Sequence, residues 1–127
     1  MRAFCILVAS SFFLCLPVPT GAQSITDEAQ RIYEVSHPSV VQIQVIDLAT
    51  GKKTSIGSGF QFTAQGHIAT NFHVVSEAVH APQRFRIESL RHDGAVGLVD
   101  LLDIDVVHDL AIVLSRDSGG SSLSLGH

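Results

Sequence analysis

From Ser39 to Ser115 the sequence is a succession of short runs, most alternating apolar with polar residues, broken by Gly-, Asn- or Asp-bearing turns. That rhythm constrains the fold more than any other feature, because a period of two puts every second side chain on one face of a sheet. In SVVQIQVIDL, Val41, Ile43 and Val45 face one way and Gln42 and Gln44 the other. ATGKK is a polar turn, TSIGSGFQFT a second run with Phe60 and Phe62 on one face, and AQGH turns into IATNFHVV. RFRIESL sets Phe85, Ile87 and Ser89 against Arg84, Arg86 and Glu88. Asp93-Gly94 is a turn signal, after which AVGLVDLLDID and DLAIVLS read as further strands. About six strands at such short spacing predict an all-β sandwich or barrel over residues 39–115.

The flanks differ in kind. MRAFCILVASSFFLCLPVPTGAQS opens with one basic residue, Arg2, followed by an apolar run from Ala3 to Leu16 and a Pro-containing stretch. Thr20 and Ala22 then place small side chains at the −3 and −1 positions of a cut after Ala22. This is the layout of a secretory signal peptide over residues 1–22, and the apolar run is short of the ~20 residues a bilayer span needs. The expected destination is secreted or periplasmic, with no membrane partner. Both cysteines, Cys5 and Cys15, would leave with the leader, so the mature chain would carry neither disulfide nor thiol chemistry. Residues 23–38 read as a short helix: Thr26 or Ser24 can cap it, Ile32 and Val35 supply an apolar stripe, and Pro38 ends it. The tail, residues 116–127, is Gly/Ser-rich and reads as loop or linker.

A formal net charge of −4 leaves nothing basic enough to follow a nucleic-acid backbone. His67, His73, His80, His92 and His108 lack metal-ligand spacing such as His-Glu-x-x-His, and no phosphate-binding loop is present, so no metal or cofactor is expected. Two stretches could instead carry acyl-transfer chemistry. One is GHIATNFHVV, a strand that buries Ile68 and Ala69, turns polar at Thr70-Asn71 and presents His73. The other is DVVHDLAIV, with Asp109 at the mouth of an apolar strand. Such chemistry needs an imidazole to take the nucleophile's proton and a carboxylate to fix its tautomer and stabilise its cation.

Taken in order, Gly57-Ser58-Gly59-Phe60, then Gly66 to Val75, then Asp109-Leu110-Ala111-Ile112-Val113 closely resemble the first barrel of trypsin-like serine peptidases of the bacterial HtrA/Deg type. The resemblance covers roughly residues 30–126 and implies a six-stranded antiparallel barrel, the first of the usual two, behind a short N-terminal helix. It implies that His73 is the general base and that Asp109 orients it. Polypeptides would be the substrates, and a second barrel, or self-association through an exposed apolar face, would complete the assembly. By the same resemblance SSLSLGH matches the segment leaving the first barrel, and the nucleophilic serine lies in the second.

RDSGGSS nonetheless contains Asp117-Ser118-Gly119-Gly120, the letters of the family's nucleophile motif. Arg116 and Ser121 stand where the full motif has Gly and Pro, and Ser118 is only nine positions beyond Asp109. A strand over 110–114 carries the chain ~16 Å away from the His73–Asp109 end at ~3.3 Å per residue. A serine without backbone N–H donors for the oxyanion is also a poor catalyst. The expectation is therefore a loop serine at 118. The chain is then the N-terminal part of a secreted or periplasmic serine endopeptidase, with base and orienter but no nucleophile, inactive alone. The competing expectation is a non-catalytic secreted β-barrel that binds peptides or assembles with a partner.

Overall fold

The computed structural model describes residues 22–117 and 119–126. Its element order is α1 (Ala22–Ser36), a 3-10 turn (His37–Ser39), β1 (Val40–Asp47), β2 (Lys53–Gln61), β3 (His67–Thr70), α2 (Phe72–His80), β4 (Phe85–Arg91), β5 (Val96–Asp105) and β6 (Leu110–Ser115). The strands close into one antiparallel barrel in the order β1-β2-β3-β6-β5-β4. The expected all-β, six-stranded barrel with a short N-terminal helix is the fold. The leader expected over residues 1–22 lies, up to Gly21, outside the described residues, as does Ser118.

The alternation in the sequence is the alternation of the barrel wall. Val41, Ile43 and Val45 of β1 point inward and are nearly or fully buried, joined by Ile68, Ile87, Val99, Ala111 and Val113 from the other strands. Gln44 faces the other way yet is also buried, opposite Glu88 of β4, and its amide donates to Glu88 Oε2 at 2.8 Å. The phenylalanines at 60 and 62 share a face, with ring centroids 6.4 Å apart, but Phe60 is exposed and neither enters the core. The inward positions of β2 fall instead on Gly57, Gly59 and Gln61. The Asp93-Gly94 signal forms the β4–β5 turn, with Gly94 at φ 86°, a left-handed conformation that glycine adopts without steric cost.

Three local expectations are corrected. The run IATNFHVV is not one strand: β3 stops at Thr70 and the chain enters α2 at Phe72. Val74, Val75 and Ala78 sit at helical spacing and drop into the barrel's core, which is the packing reward that overrides their strand propensity. Within β3 the inward residues are Ile68 and Thr70, while Ala69 is only half-buried. Ser24 and Thr26 lie inside α1 rather than at its cap; the stripe made by Ile32 and Val35 is exposed.

Candidate active site

The two sequence-predicted site residues come from different ends of the barrel's connections and meet at one rim. His73 is the second residue of α2, immediately after β3, and Asp109 is the last residue of the turn between β5 and β6. Pairing of Thr70 with Ala111 brings those two connections together. The Asp109 carboxylate accepts from His73 twice: from the backbone N–H at Oδ1, 2.8 Å, and from the ring Nδ1 at Oδ2, 2.7 Å. A carboxylate can only accept, so the Nδ1–H tautomer is the one that fits, and Nε2 of the neutral ring is left with its lone pair.

Local backbone geometry sets this up. Helix α2 opens at Asn71, a residue type that usually caps a helix with its side chain, yet Asn71 makes no such bond. The cap comes from Asp109, whose carboxylate takes the amide of His73. In return the Asn71 amide Nδ2 and the Phe72 backbone N–H donate to the Asp109 carbonyl, at 3.1 and 3.2 Å. Asp109 has φ 54° and is the one non-glycine residue with positive φ among those described. That conformation costs an L-residue about 1 kcal/mol or more, and aspartate is among the residues that tolerate it best. The Asp109 carboxyl is held below its ordinary 3.8, first by the His73 backbone N–H and then by the His73 ring.

The pair is open to solvent, with 70% of the His73 side chain and 45% of the Asp109 side chain exposed. Beside it lies an apolar groove lined by Val40, Phe60, Ala69 and Leu110, of which Val40, Phe60 and Leu110 are themselves exposed. The arrangement can accept a proton at Nε2 and stabilise the resulting imidazolium.

The residues on either side of Ser118 are held at the other end of β6. Leu114 pairs with His67 there, and Arg116 donates from Nε to Asp100 Oδ2 at 2.8 Å. A side chain at Gly97 would meet Asp117, and one at Gly120 would meet Gln61, so the residues flanking Ser118 are seated against β5 and β2. Leu123 N–H then donates to the Gln61 carbonyl at 2.8 Å.

Sequence reasoning missed Asn71 as part of the site, and it missed a second His–Asp pair in the turn before Asp109. Asp105 accepts from the backbone N–H and ring Nδ1 of His108, at 3.1 and 2.7 Å, which ties down the turn. The Asp-x-x-His spacing was the available signal for that turn. Among the described residues no group of three or more His, Cys, Asp or Glu is arranged to hold a metal ion. His67 bonds Thr63 and His80 bonds the Ser76 carbonyl, both local contacts.

A family model described as a trypsin-like peptidase domain matches residues 57–126, a span that contains both His73 and Asp109. The crystal structure of Deg5 is similar in fold, with a TM-score of 0.65 at 24% sequence identity, over 80% of this chain and 49% of that one. The chain thus spans about half the length of Deg5.

Proposed function

The chain belongs to the trypsin-like peptidase family, and on that premise we propose that it supplies the acid–base half of a serine endopeptidase, with His73 as general base and Asp109 as its orienter. The observation that carries this reading is the doubled contact of one carboxylate with the N–H and the ring of one histidine. It fixes ring position and tautomer together, which is what a base that must hand its proton on requires. Nε2 would take the proton of a serine hydroxyl and return it to the leaving amine. The serine, the oxyanion donors and the specificity pocket are assigned to a second barrel, and polypeptides are the substrates the family membership suggests. The exposed groove at Val40, Phe60 and Leu110, next to the pair, supports a covering partner of that kind. The leader read in residues 1–22 supports export to a secreted or periplasmic site.

The residues flanking Ser118 lie at the far end of β6, which supports a loop role for that serine. The purified chain is therefore expected to leave casein and peptide substrates intact, and a fluorophosphonate probe is expected not to label Ser118. Stoichiometric labelling of Ser118 that disappears in His73→Ala would overturn this assignment and make the chain a hydrolase by itself.

A further inference from the structure

We propose that Asn71 is a positioning residue whose carboxamide, by holding the Asp109 carbonyl, keeps Asp109 in the left-handed conformation that turns its carboxylate onto His73. The proposal rests on the reading of His73 and Asp109 as base and orienter. Three observations carry it. Asn71 occupies the N-cap position of α2 with extended backbone, φ −86° and ψ 144°, but its side chain makes no cap bond. Its Nδ2 lies 3.1 Å from the Asp109 carbonyl oxygen, and since that oxygen only accepts, the amide nitrogen must face it. Asp109, the residue so held, sits at φ 54°.

The result is an exchange of caps between two chain segments. Asp109 satisfies the His73 amide that Asn71 would normally take, and Asn71 satisfies the Asp109 carbonyl that the β5–β6 turn leaves pointing at the helix start. Each bond fixes the other: the carbonyl end of Asp109 is pinned by Asn71 and Phe72, the carboxylate end by His73. Rotation of the Asp109 backbone out of its left-handed state would break both ends at once. Asn71 does not touch the reacting atoms, so it acts through Asp109.

Amide hydrogen exchange on the chain, read at Phe72 and His73 relative to core amides at Ile43, Val45 and Val113, separates this role from simple helix capping. Asp is isosteric with Asn and equals it as a helix cap, but its carboxylate cannot donate to a carbonyl. Asn71→Ala and Asn71→Asp are both expected to lower the protection of Phe72 and His73 about fivefold to tenfold relative to the core, the loss of roughly one hydrogen bond's net contribution. The hydrogen-bonded His73 Nδ1 proton should broaden in both. If Asn71→Asp keeps the wild-type ratio, or Asn71→Ala leaves it unchanged, the positioning role is overturned. A uniform loss of protection across site and core also leaves the ratio unchanged and counts against it. A wild-type chain with no hydrogen-bonded Nδ1 proton at His73 would instead remove the base–orienter reading itself.

Discussion

Joined to a second barrel that carries a serine nucleophile, the chain is expected to lose about 10⁴- to 10⁶-fold in kcat when His73 is replaced by Ala, and about 10⁴-fold on Asp109→Asn. The two losses have different origins. Without the imidazole no group accepts the serine proton. In Asp109→Asn the ring can be held in the wrong tautomer, because the carboxamide N–H₂ would donate to Nδ1 and force the proton onto Nε2. KM should change little, since neither side chain grips the substrate away from the reacting atoms. Steady-state kinetics on a peptide substrate near neutral pH checks this, and a kcat loss under tenfold for either variant would exclude its assigned role.

The second large effect is expected far from any reacting atom. A Cβ built on Gly57 would clash with Val74 Cγ2 and lie 2.9 Å from Cγ1 and 3.2 Å from Cβ. Rotating Val74 cannot clear both methyls, and a β-branched side chain in a helix has essentially one comfortable rotamer. Val74 is buried in the core and follows His73 directly, so relief must come from moving α2. Gly57→Ala should therefore destabilise the chain by about 1–3 kcal/mol, the usual range for overpacking, and lower the melting temperature by roughly 4–8 °C per kcal/mol. Adding Val74→Ala should restore part of the loss, whereas the two losses would simply add if the residues did not press on each other. Equal melting points for Gly57→Ala and the wild-type chain would show that β2 and α2 do not meet as described.

That dependence of helix on strand also explains what was legible in the sequence. The inward set Val41, Ile43 and Val45 of β1, the period-two alternation of β4 and the Asp93-Gly94 turn read directly, because each is set by local pattern and turn chemistry. Helix α2 did not. Phe72-His73-Val74-Val75 has strand-like propensity, and the reason for its helical path is the burial of Val74, Val75 and Ala78 in the core, with Val74 packed against Gly57, a contact distant in sequence. His73 and Asp109 stood out through the ordered motifs around them. Asn71 did not, since its role depends on the left-handed backbone of Asp109 and on a cap supplied from another segment. The burial of the outward-facing Gln44 was not legible either, since it comes with a partner, Glu88, from β4. Propensity and periodicity report what a residue does with its neighbours in sequence; these features are set by neighbours in space.

The coupling of His73 to Asp109 is tested most directly by a ¹³C NMR titration of the Asp109 carboxyl carbon in the chain. With its pKa depressed in the fold, Asp109 contributes stability that is fully present above the unfolded-state value and lost as pH falls through the folded one. Asp47, Asp93, Asp100 and Asp105 are depressed in the same direction, Asp93 to about 2 through its bond to Arg91, so acid loosening of the fold belongs below about pH 4. For Asp109 the expected midpoint lies below its ordinary 3.8. His73→Ala should move it part of the way back up, because the ring's hydrogen bond goes while the backbone N–H remains. A midpoint at or above 3.8, or one that His73→Ala leaves in place, would contradict a carboxylate that orients the histidine.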